Sequence, residues 1–155
     1  MSDPVCISII FSDLVIREAG TGKNSLIGTF NNFNMPGFPY PSPPFFITVQ
    51  LTNLLPGTKE FAVVVRLEDG TTGMILTSVG GQIKLPEEIN LTRETVLEIP
   101  LMVAPFLVPK SGHFKVLVLI NNSEAGHRPF SIFSITGASM QPPHPPQLPK
   151  PPGTP

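Results

Sequence analysis

The chain holds 155 residues, of which only 14% are charged, with a formal net charge of −1. That length supports one domain with its own core, and the near-neutral balance excludes the basic footprint that nucleic acid or an anionic membrane surface demands. A single cysteine, Cys6, excludes an internal disulfide and a thiolate metal cluster.

The N-terminal run "MSDPVCISIIF" lacks a basic leader region and a small-residue cleavage site. It is also far shorter than the ~20 apolar residues that span a bilayer, so a cytoplasmic location is expected. Val5, Ile7, Ile9 and Phe11 alternate with odd parity, then Leu14 and Ile16 with even parity. Such a phase change between Ser12 and Asp13 predicts a β-bulge, because one extra residue moves every later side chain to the other face. A turn at "AGTGKN" and a partner strand over 25–33 complete a hairpin.

Residues 34–44, "NMPGFPYPSPP", hold five prolines. Proline fixes φ and withholds a donor, so this segment is expected to be a stiff connection crossing from one sheet to another. Beyond it come strands at 45–52, with Phe45, Ile47, Val49 and Leu51 on one face, and at 60–67, with Phe61, Val63, Val65 and Leu67 on one face. A weaker strand covers 72–85, interrupted at Gly80 and Gly81, and 86–93 is a candidate for two helical turns. In the strand at 94–103, Pro100 cannot donate to a ladder, which predicts a sheet edge or a bulge. "HFKVLVLI" (113–120) is apolar on both faces, as a central strand would be, and "SEAG" (123–126) is read as the turn before a last strand at 128–136.

About eight short strands separated by turn signals predict an all-β fold, an antiparallel β-sandwich. The spacing does not separate immunoglobulin-like from C2-like or jelly-roll strand orders. The sandwich is assigned to residues 1–138 and a disordered proline-rich tail to 139–155, where "QPPHPPQLPKPPGTP" is prone to polyproline II.

Gly20, Gly22, Lys23 and Ser25 suggest a phosphate loop, but the spacing is wrong and no helix follows, so turn chemistry accounts for them. Cys6 sits in an alternating apolar run and reads as a small buried residue. His113 and His127, placed at the starts of two neighbouring strands, are expected to lie on the order of 20–25 Å apart. They could not then share a metal, and His144 belongs to the tail. Three aspartates, Asp3, Asp13 and Asp69, do not make the convergent carboxylate set that calcium requires. Asp69 reads simply as part of a turn. The triplets at Asn90 and Asn121 match a glycosylation pattern that is common by chance.

The segment 12–54 resembles a family of small uncharacterised bacterial β-sandwich proteins classed as a domain of unknown function. The resemblance rests on Asp13 and Val15, on Thr21, Gly22 and Lys23, on Leu26, Ile27, Gly28 and Phe30, and on Phe38 and Pro39. Gly112 to Phe114 and Arg128 to Phe130 resemble the family's closing strands. Where such proteins often carry Cys, this chain has Ser12. The resemblance implies a β-sandwich, C2-like, and implies no activity, substrate or catalytic residue.

The expected function is that of a non-enzymatic structural or protein-interaction module, with no catalytic residue, cofactor or metal. Its expected partner is a protein or a second copy, with no nucleic acid and no transmembrane segment. The alternative is a ligand-binding module for a carbohydrate or lipid surface that uses the 34–44 loop. For either, the candidate interaction surface is Phe38, Pro39, Tyr40 and Pro41.

Overall fold

The computed structural model describes residues 3–135. The tail at 139–155, its boundary and His144 lie outside the described residues. Eleven strands follow one another: β1 (Val5–Arg17), β2 (Asn24–Phe30), β3 (Asn32–Met35), β4 (Tyr40–Pro41), β5 (Phe45–Thr52), β6 (Glu60–Asp69), β7 (Ile75–Lys84), β8 (Leu97–Val103), β9 (Leu107–Val108), β10 (Gly112–Ile120) and β11 (Ser123–Ser134). They form a four-stranded sheet in the order β2-β1-β5-β8, a five-stranded sheet in the order β3-β11-β10-β6-β7, and a small β4-β9 ribbon. This is an all-β sandwich. Every pairing is antiparallel except that of β3 with β11, which is parallel. No helix among the described residues is long and apolar enough to cross a membrane.

The alternating strands behave as their patterns dictate. Phe45, Ile47, Val49 and Leu51 of β5 and Phe61, Val63, Val65 and Leu67 of β6 are all buried, facing each other across the sandwich. β10 is central in its sheet and β8, with Pro100, is an edge. An aromatic cluster joins the sheets. Phe11 contacts Phe30, Phe45 and Phe130, and Phe33 contacts Phe30, Phe45 and Phe130, with ring centroids 4.9–6.4 Å apart. Offset and edge-on pairs of this kind add to the area they bury.

Four details differ from the sequence reading. The run at 25–33 is broken at Asn31: β2 stays with the first sheet, while β3 joins the second beside β11. The proline segment then returns the chain to the first sheet at β5, so it crosses between sheets as expected. Residues 86–93 form turns and no helix, because their carbonyls are taken by distant donors. The Lys59 ammonium donates to the carbonyls of Glu87 and Ile89, and the Asn53 amide donates to that of Arg93. The turn between β10 and β11 is made by Asn121 and Asn122, with φ of 48° and 67°, leaving "SEAG" inside β11. Two left-handed residues are what a tight hairpin turn requires, and asparagine tolerates that conformation. Finally, β7 runs unbroken through Gly80, whose missing Cβ would fall on the Val63 carbonyl. Glycine there permits close strand approach and does not interrupt the strand.

Candidate functional site

The β-bulge predicted between Ser12 and Asp13 is absent: β1 and β2 keep one register on both sides of that point, so no extra residue is inserted and the hairpin bends there instead. Phe11 pairs with Phe30 and Ser12 with Thr29, pairing resumes at Leu14 with Ile27, and Asp13 and Gly28 are skipped between them. Gly28 has φ of 67° and its absent Cβ would land on the Asp13 carboxylate. A side chain is thus excluded by the backbone conformation and by space. The register shift of β1 lies instead between Cys6 and Ser8, where the alternation gave no sign of it. It turns Val5 and Ile7 outward although they share the parity of Ile9 and Phe11.

Beyond the bend, the tip of the β1–β2 hairpin folds back across the outward face of its own sheet. Phe46, Thr48, Gln50, Glu98 and Pro100 belong to that face, since their neighbours in sequence point into the core. The Asn24 amide donates to Glu98 Oε1 at 2.8 Å and the Gln50 amide to Glu98 Oε2 at 2.9 Å. Asn24 and Glu98 are 74 positions apart. This contact holds the arm down. Under the arm, Val15, Arg17, Lys23, Asn24, Phe46 and Pro100, with Glu98, enclose a cleft of about 380 Å³. Among the described residues no carboxylate pairs with Arg17 or Lys23. On the same face the hydroxyls of Ser12 and Thr48, opposite Phe46 and Pro100 in the ladder, are fully buried without a hydrogen-bond partner.

The turn at the arm's tip is self-contained. The Glu18 amide donates to the Lys23 carbonyl and the Gly22 amide to the Glu18 carbonyl. Hydroxyls of Thr21 and Ser25 donate to the Glu18 carboxylate and hold it below its ordinary range. The glycines and lysine that suggest a phosphate loop are turn residues, yet Gly22 and Lys23 also line the cleft.

On the arm's opposite side, Leu14 and Ile27 are cross-strand partners and Ile16 lies two residues on from Leu14, on the same face. Their exposures are 45%, 46% and 45%. One side of the arm is therefore seated on the domain and the other presents aliphatic side chains to solvent.

Where the two sheets meet laterally, β1 is fastened to β11. Arg128 donates to the Ile9 carbonyl at 2.7 Å and to the Asn31 side chain, and its guanidinium lies 4.6 Å from the centre of the Phe11 ring. Burial lowers its proton affinity below the usual arginine range, and arginine retains its charge under such shifts.

The residues proposed from sequence are placed as follows. Phe38 is half-buried against the core, whereas Pro39, Tyr40 and Pro41 are exposed around the β4–β9 ribbon. The loop therefore offers three of the four residues to solvent. Cys6 is half-buried, and burial raises its thiol pKa, as for an inert packed cysteine. The histidines are closer than expected. β11 begins at Ser123, so His127 sits opposite Leu117, four residues from the Ser131 that pairs with His113. That is about 13 Å along the strand. His113 contacts the Ser131 hydroxyl at 3.2 Å and His127 the Glu124 carboxylate at 2.7 Å. No cluster of three or more His, Cys, Asp or Glu side chains capable of holding a metal occurs among the described residues. Asp69 is more than a turn residue: buried, it accepts from Lys110 at 2.7 Å and from the amides of Thr71 and Thr72, which hold its carboxyl far below the carboxylate range.

The bend residues Asp13 and Gly28, the turn around Gly22 and the Arg128 fastening occupy the positions that carry the sequence resemblance. A model for a family of unknown function, DUF6941, matches residues 7–133. The chain belongs to this family. The DUF6941 match runs from Ile7, the third residue of β1, to all but the last residue of β11, so the arm and the cleft both lie inside the family's domain. No curated protein matches the chain. Among solved structures, it is similar to the Pseudomonas fluorescens alkylpurine DNA glycosylase AlkC bound to DNA containing an abasic site analogue. That similarity has 15% identity and a TM-score of 0.41, and it covers 66% of this chain and 28% of the glycosylase chain.

Proposed function

We propose that this DUF6941 domain is a non-enzymatic interaction module that associates with a second copy of itself through the outward face of the β1–β2 arm. The observation that carries this reading is the side-by-side exposure of Leu14, Ile16 and Ile27 on an arm whose other face is already seated. A two-fold axis near Ile27 would bring the same three side chains of each copy together, as a self-complementary interface requires. The formal charge of −1 places little repulsion between copies.

Light scattering on size-exclusion fractions across a concentration series tests the proposal. A mass that rises to twice the chain mass, and falls back to monomer when Leu14 and Ile27 are replaced by Glu, is the expected result. A strict monomer at every concentration, or a dimer indifferent to both substitutions, overturns it. Circular dichroism of the variant separates lost association from lost folding.

A further inference from the structure

The underside of the arm carries a different chemistry from its outward face. The cleft there has an apolar floor of Val15, Phe46 and Pro100 and a cationic wall of Arg17 and Lys23. Glu98, the one carboxylate in it, already has both oxygens occupied by the Asn24 and Gln50 amides. The two cations have no carboxylate partner among the described residues. The volume of about 380 Å³ lies within the range of small-molecule clefts, which combine an apolar lining with a few convergent polar groups.

We propose that this cleft binds a small organic carboxylate. Its carboxylate group lies against Arg17 and Lys23, and its apolar body lies on Phe46, Pro100 and Val15. Arginine presents parallel N–H donors that match a carboxylate, and lysine adds a point charge beside it. The aromatic floor selects for a body of aryl or short alkyl chemistry over a bare inorganic anion. The charges select against a neutral molecule of the same shape. The site is separate from the outward face of Leu14, Ile16 and Ile27, so binding and self-association succeed or fail independently.

The test uses the full chain and three probes: 4-phenylbutyrate, the neutral 4-phenylbutanol, and inorganic phosphate. Titration followed by amide and methyl NMR shifts is expected to show saturable phenylbutyrate binding, with the largest changes at Val15, Lys23 and Phe46. Replacing Arg17 and Lys23 together by Gln is expected to weaken it by about tenfold or more, since both charge-assisted contacts are lost. Both side chains are exposed, so the melting temperature without ligand stays unchanged. No saturable shift at millimolar phenylbutyrate overturns the proposal. So does equal affinity for phenylbutanol or phosphate, or undiminished affinity in the Arg17→Gln, Lys23→Gln variant.

Discussion

Asp13 and Gly28 face each other across the bend of the β1–β2 hairpin, and the Asp13 carboxylate occupies the space that a Cβ on Gly28 would need. The two residues let a single hairpin begin as part of a sheet and end as a cover over that sheet's outer face.

Gly28→Ala is expected to destabilise the domain by about 1–2 kcal/mol from the left-handed backbone alone, with a further loss from the collision with Asp13. Urea unfolding measures the total. Asp13→Ala in the same chain relieves the collision and leaves the backbone cost, so the double variant is more stable than the sum of the two changes predicts. Loss of the Asn24 to Glu98 contact in Gly28→Ala, seen as altered side-chain amide shifts for Asn24, would show that the arm has lifted.

Arg128→Met removes the donations to Ile9 and Asn31 and the contact with the Phe11 ring. A charged hydrogen bond contributes about 1.5–3 kcal/mol, so a loss of about 2–3 kcal/mol is expected by chemical denaturation. Arg128→Lys restores the charge but not the planar fork that reaches two acceptors. It is expected to recover less than half of the loss. Full recovery by lysine would mean that charge alone matters at this position.

Acid sensitivity is expected to centre on Asp69. Its folded carboxyl is held far below the usual range, first by Lys110 and then by the amides of Thr72 and Thr71, while the unfolded group titrates near about 3.9. The unfolded chain therefore takes up the proton first as pH falls. The stability due to Asp69 is complete above about pH 4–5 and declines below that, toward the lower folded value. Asp69→Asn is expected to be less stable at neutral pH and to show a shallower acid decline. An unchanged slope of stability against pH between about 4 and 2 would count against this assignment.

The sequence disclosed the strands wherever one face is buried over several residues. Phe45 to Leu51 and Phe61 to Leu67 alternate because each strand has a wet and a dry side, and the polarity of the residues records it. Pro100 marked an edge for the same local reason. The change of phase at Ser12 and Asp13 misled, because it signals an inserted residue where the ladder has none, and the fold-back depends on Asn24 and Glu98, far apart in sequence. The irregularity at Cys6 was hidden because Val5 and Ile7 are apolar although exposed. The failed helix at 86–93 was likewise decided elsewhere, by Lys59 and Asn53 competing for its carbonyls. The cleft followed from the fold-back alone: Arg17, Lys23 and Phe46 have no common pattern along the chain. The asparagine turn was readable in principle, because two adjacent residues that tolerate positive φ stand directly after an apolar strand.

The hydrogen bond from Arg128 to the Ile9 carbonyl joins positions 119 residues apart. During synthesis β1 is made long before the strand that seals its free edge. Until β11 emerges, the edge of residues 5–10 that faces away from β5 and one side of the Phe11 ring have no cover, and a truncated chain would present that open edge to other chains. Closure of this seam pairs an early element with a late one, so loop-closure entropy must be met before the contact rewards it.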